Sequence, residues 1–131
     1  MAALLDTNIL IYAQQSGPKG EVARRLLAEG GIVSVQVLNE FASVATRKHG
    51  RSWQEVEQAI EDILALVDPP VPLTLALHHA ARALAAADRV SFYDALIVCA
   101  AQQAGCDRLY SEDLQAGRRF GRVRIVNPFA T

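Results

Sequence analysis

The chain has 131 residues, 51% hydrophobic and 21% charged, with a formal net charge of −1. That length and mixture fit a single domain, residues 1–131, with a proper hydrophobic core, and exclude a disordered tail. The near-zero charge excludes an overall basic nucleic-acid binder, so any such surface has to be a local patch.

Met1 to Leu5 carries no basic leader and Asp6 interrupts the apolar run, so no signal peptide is expected. No stretch is long and apolar enough to span a membrane. The two cysteines, Cys99 and Cys106, read as buried reduced thiols rather than a disulfide framework or a zinc site. A cytoplasmic protein is the expectation.

In chain order, Ala2 to Leu5 is a short apolar run typical of a strand buried on both faces. Asp6-Thr7-Asn8 supplies three helix-capping residues, and Ile9 to Ala13 begins a short helix. Val22, Ala23, Leu26 and Leu27 keep helical spacing until Gly30-Gly31. Ile32 to Val35 reads as a second strand and Gln36 to about Arg47 as a helix. Ser52-Trp53-Gln54-Glu55 is a capping box, followed by an amphipathic stripe from Val56 to Val67. Within the cluster Asp68-Pro69-Pro70-Val71-Pro72, Val71 to Thr74 is compatible with a brief edge strand. Leu75 to Ala87 is an alanine-rich helix, and Ser91 to Ala104, apolar nearly all round, is the most buried one. Arg108 to Tyr110 and Val123 to Val126 are the last strands, with a short helical piece predicted at Leu114 to Phe120.

Strands alternating with helices imply an α/β fold with a parallel sheet covered on both faces. Ligands of such sheets bind at the carboxyl ends of the strands. Asp6 ends the first strand, Glu40 lies one turn into the helix after the second, Asp94 opens the buried helix, and Asp113 follows the Arg108–Tyr110 strand. The fold therefore predicts that the four acids converge.

Each acid also has a plain structural reading. Asp6 can cap the next helix, although Thr7 and Asn8 are equally able to. Glu40 can be an ordinary exposed helix acid, but none of its helical neighbours Gln36, Val37, Ser43 and Val44 is basic. Ser91-Phe92-Tyr93-Asp94 fits a capping box, yet Asp94 shares its face with Ile97 and Val98. Asp113 can be a turn residue, and Glu112 competes with it as the fourth acid. It is their joint placement at one edge that points to chemistry. Clustered carboxylates repel unless a cation sits among them, and magnesium or manganese takes hard oxygen ligands together with substrate phosphate. Thr7 and Ser111 are placed to hold waters or phosphate oxygens, with Asn8 supporting the same turn.

On these residues the chain resembles the PIN-domain nucleases, and among them the VapC-type toxins of toxin–antitoxin pairs. The matching stretches are Leu5-Asp6-Thr7-Asn8-Ile9-Leu10, Ser34 to Glu40, Phe92-Tyr93-Asp94-Ala95-Leu96-Ile97 and Leu109 to Leu114, with Val126-Asn127-Pro128-Phe129 matching one subgroup. The resemblance implies a three-layer α/β/α sandwich with a central parallel sheet and a magnesium-dependent endoribonuclease. It implies Asp6 and Asp94 as principal metal ligands, with Glu40 and Asp113 completing the acidic cluster directly or through water. It further implies an RNA substrate, a homodimer and a cognate antitoxin.

Arg118, Arg119, Arg122 and Arg124, and separately Arg47-Lys48-His49 with Arg51, are candidate grips for RNA phosphates or simply solvated surface. No Gly-x-x-x-x-Gly-Lys loop or Gly-x-Gly-x-x-Gly turn is present. The competing reading is a non-catalytic RNA- or protein-binding module on the same scaffold.

Overall fold

The computed structural model describes residues 2–130. Its elements are β1 (Ala3–Leu5), α1 (Thr7–Ala13), α2 (Pro18–Ala28), α3 (Val35–Arg47), α4 (Trp53–Leu66), α5 (Leu75–Asp88), α6 (Phe92–Gln103), β2 (Arg108–Tyr110), β3 (Arg119–Phe120) and β4 (Val123–Val126). The sheet order is β1-β2-β4-β3. Strands β1, β2 and β4 are parallel, and β3 runs antiparallel on the edge. This is the α/β architecture expected from the sequence, with a mostly parallel sheet.

The register decides where function can sit. Leu5 pairs with Tyr110 and Tyr110 with Val126, so the three parallel strands end level. Beyond that line the Asp6 N–H donates to the Tyr110 carbonyl and the Ser111 N–H to the Val126 carbonyl, each at 3.0 Å. The chain thus delivers Asp6 and Ser111 side by side at the carboxyl edge, although they are 105 positions apart in sequence.

Helix α6 packs against β1, β2 and β4, and α5 packs on α6. Residues Ala95 to Ala101 are all buried, as the apolar sequence of this helix requires. The main core joins Leu4, Leu5, Ile9 and Leu10 to Phe41, Ile63, Ile97, Leu109 and Ile125. Cys99 and Cys106 are buried and unpaired, as read from their surroundings in sequence.

Three expectations change. The Ile32–Val35 segment is extended but joins β1 only through the Leu4–Ile32 bridge, and the chain turns helical at Val35. Its Ser34 bridges Val71, and no strand extends over Val71–Thr74, because Pro70 and Pro72 flank the one residue that can pair. The helix predicted at Leu114–Phe120 is absent. Bends and a turn occupy that segment, and Arg119–Phe120 pairs with Val123–Arg124 across a two-residue turn. Gly121 has φ +61° at the first turn position, which suits a tight hairpin better than a helix.

Candidate active site

Asp6 is the N-cap of α1 and is only 4% exposed. Its Oδ1 accepts the Thr7 N–H at 2.7 Å, and its Oδ2 accepts the Ser111 hydroxyl at 2.7 Å. Ser111 is fully buried, and its Oγ in turn accepts the backbone N–H groups of Asp113 and Leu114, each at 3.1 Å. One hydroxyl therefore ties the first acid to the loop that carries the last.

Glu40 reaches the same place from α3. Its Oε1 accepts the Thr7 hydroxyl at 3.3 Å and its Oε2 accepts the Gln36 amide at 2.8 Å. Gln36 is itself buried. Its spacing of four from Glu40 on one helix face is the sequence signal for this support, a neutral partner where a basic one is absent.

The carboxylates of Asp6 and Glu40 are held by neutral donors. Burial raises the Asp6 carboxyl from 3.8 to about 6; the Ser111 and Thr7 hydrogen bonds oppose that rise, and the charges of Glu40 and Asp113 add to it. None of Asp6, Glu40, Asp94 and Asp113 forms an ion pair among the described residues. The donor set is thus all hard oxygen with uncompensated negative charge, which suits a divalent cation of the magnesium type. The side chains do not close into a shell: among the described residues no three His, Cys, Asp or Glu groups stand close enough to hold a metal ion.

Asp94 lies in the first turn of α6. The carboxyl end of that helix lies by the amino end of β4, since Gln102, Gly105 and Cys106 line a recess with Arg122 and Val123. The opposite end of the helix, with Asp94, therefore points to the edge where the strands finish. The capping box expected there forms by half. Ser91 Oγ accepts the Asp94 N–H at 3.1 Å, but the Asp94 carboxylate does not return a bond to the cap. At Ser52 and Glu55 both bonds form. The half-buried Asp94 carboxylate has no hydrogen bond or ion pair among the described residues.

Of the two acids competing after β2, Glu112 is engaged elsewhere. Its carboxylate binds Tyr12 and Lys19, which hold it below the usual glutamate range, Lys19 contributing most. The exposed Asp113 is the one whose charge reaches Asp6. Asn8 accepts the Glu112 N–H at 3.4 Å, and its Nδ2 is buried without a partner.

None of Arg118, Arg119 and Arg122 pairs with the four acids among the described residues. Arg118 donates to the Asp88 carbonyl at 2.6 Å and stacks over Phe120, Arg119 is exposed on β3, and Arg122 precedes β4 at the opposite edge. His49 and Arg51 rim a cleft of about 210 Å³ floored by Ile11, Phe41 and Val56, and none of the four acids lines it.

A family profile for the PIN domain matches residues 3–123. The chain belongs to the PIN domain family. No curated protein matches the sequence. Solved structures agree on the fold. A toxin–antitoxin complex from Klebsiella pneumoniae is 22% identical, covering 99% of this chain and 100% of that one, with a TM-score of 0.72. VapC20 of Mycobacterium tuberculosis, a sarcin–ricin-loop-cleaving toxin, is 22% identical over 86% of this chain and 90% of its own, with a TM-score of 0.68. VapBC2 from Rickettsia felis, bound to a DNA fragment from its promoter, is 16% identical over 95% and 97%, with a TM-score of 0.69. In this PIN domain the residues linked around Asp6 come from α1, α3 and the loop after β2. No helix is long and apolar enough to cross a membrane among the described residues.

Proposed function

We propose that this PIN domain is a magnesium- or manganese-dependent endoribonuclease, the toxin of a toxin–antitoxin pair, held silent by a cognate antitoxin and working as a homodimer. The observation that carries the reading is the buried Asp6, repelled by Glu40 and Asp113 and without a cationic partner among the described residues. The PIN family supports the nuclease chemistry, and the toxins among the structural relatives support the biological setting.

In this reading Asp6 and Asp94 contact the ion, and Glu40 and Asp113 act through water. A divalent ion supplies Lewis acidity when bound: it acidifies a water and offsets charge on the phosphate under attack. The protein's own part is placement. Ser111 fixes the Asp6 carboxylate and the backbone of Asp113 together. Thr7 joins Asp6 to Glu40, and Gln36 orients the far oxygen of Glu40.

The test is cleavage of RNA by purified Asp6→Asn, Asp94→Asn and the double variant, with circular dichroism to establish folding. All three should be inactive and folded, and chelation should silence the wild type. A double variant that cuts RNA as well as wild type overturns the reading. Full RNA affinity in chelator, with no heat of magnesium binding, would favour a non-catalytic binding module instead.

A further inference from the structure

Glu112 is held in a network that spans four parts of the fold. Its carboxylate accepts the Tyr12 hydroxyl at 2.6 Å and the Lys19 ammonium at 2.5 Å. The Lys19 Nζ also donates to Tyr12 Oη at 3.3 Å. It lies 4.8 Å from the centre of the Tyr12 ring and 5.5 Å from that of Phe129, and the two rings meet edge to face at 5.0 Å. The members come from α1, the first turn of α2, the loop after β2 and the segment after β4.

We propose that this network is a clamp that positions the Asp113 carboxylate, making Lys19 and Tyr12 positioning residues for the nuclease reaction. The inference rests on the nuclease reading above. The loop needs such a device. Residues 111–114 have no regular structure, Asp113 is exposed, and its charge is repelled by Asp6. On the inner side Ser111 Oγ holds the Asp113 and Leu114 amides. On the outer side Glu112 is seized through its carboxylate, while its N–H donates to Asn8. Asp113 lies between two fixed residues.

An exposed ion pair adds little to global stability, and the Lys19 side chain is 49% exposed. The clamp therefore acts on geometry, and displacing a catalytic group by ~1 Å can cost about a hundred-fold in rate.

The experiment uses the full chain with Lys19→Met, Tyr12→Phe and Lys19→Arg. The readouts are kcat and KM on an RNA oligonucleotide over a range of salt, and hydrogen exchange of the Asp113 and Leu114 amides in the protein alone. Lys19→Met should lower kcat about ten-fold, within the range that small misplacements produce. It should leave KM and the salt dependence unchanged and speed exchange at both amides. Tyr12→Phe should act in the same direction, and Lys19→Arg should restore both readouts. A raised KM with a flatter salt dependence and unaltered exchange would make Lys19 an RNA contact and overturn the clamp. So would wild-type behaviour in every readout. If the wild type cuts no RNA, the nuclease reading fails by itself, and unchanged exchange in Lys19→Met still refutes the clamp.

Discussion

Asp6 is where burial and charge conflict most directly, and the conflict can be measured through pH. Its carboxyl rises from 3.8 to about 6 because burial penalises the ionised form. The folded state therefore holds the proton more tightly than the unfolded chain. Below about pH 4 both states are protonated and no penalty exists. As pH rises through 4 to 6 the unfolded chain ionises first, stability falls, and above about 6 the full penalty stands. A shift of that size corresponds to about 3 kcal/mol at most. Metal-free wild type should lose this increment between pH 4 and 6, and Asp6→Asn should not. Denaturant midpoints across that range decide it, and superimposable profiles would show that Asp6 carries no such penalty. Ser111→Ala acts on the same site in the opposite direction. It strips a hydrogen bond that favours the Asp6 anion and leaves two backbone N–H groups without their acceptor. The expected cost is about 1–3 kcal/mol, together with a higher midpoint for Asp6 titration followed by carbonyl NMR.

Elements behave as their local sequences dictate where one signal dominates, and depart where a contact from elsewhere decides. The capping box at Ser52–Glu55 forms complete, so Ser52→Ala should lower stability by about 1 kcal/mol while RNA cleavage stays at the wild-type rate. The apolar run of α6 and the strands around Leu109 and Ile125 were legible for the same reason, a pattern with a single outcome. The nearness of Glu40 and Asp113 to Asp6 was legible too, because α/β topology sends strand ends to one edge. Residues 114–120 depart from their weak helical pattern because pairing with β4 outweighs it, and Gly121 is the residue that signals the hairpin. Lys19 and Tyr12 were invisible as neighbours of Glu112, being 93 and 100 positions away from it in the chain. What brings Lys19 into place is the tight α1–α2 junction. A Cβ on Gly20 would lie 2.1 Å from the Gln15 carbonyl and 3.0 Å from that of Tyr12, and Arg24 closes the same turn by donating to Gln15 at 2.7 Å. Both obstacles are backbone atoms, so Gly20→Ala must shift α2 against α1. The substitution should cost about 1–3 kcal/mol by thermal or chemical unfolding. It should also lower cleavage beyond the loss of folded protein, since Lys19 moves with the helix.

On the scale of the whole molecule, the formal charge of −1 hides an uneven distribution. Asp6 sits at the carboxyl edge of the sheet under the charges of Glu40 and Asp113, with no ion pair for any of the three among the described residues, while Arg119 and Arg122 lie on the antiparallel edge hairpin. A protein arranged in this way stores repulsion in its metal-free state, and any cation that binds the folded edge but not the unfolded chain must stabilise the fold. The gain follows RT ln(1 + [ion]/Kd), about 2.7 kcal/mol at a hundred-fold excess over Kd. Magnesium or manganese should therefore raise the unfolding midpoint of wild type at neutral pH, with a dependence on ion concentration that saturates. Potassium chloride at matched ionic strength should not reproduce it, because screening acts weakly on a buried group such as Asp6. Asp6→Asn and Asp94→Asn should each flatten the response, Asp6→Asn from a higher metal-free starting point. Equal stabilisation of wild type and both variants would place the ion elsewhere on the surface, and the four acids would then have to be explained as separate features of the fold.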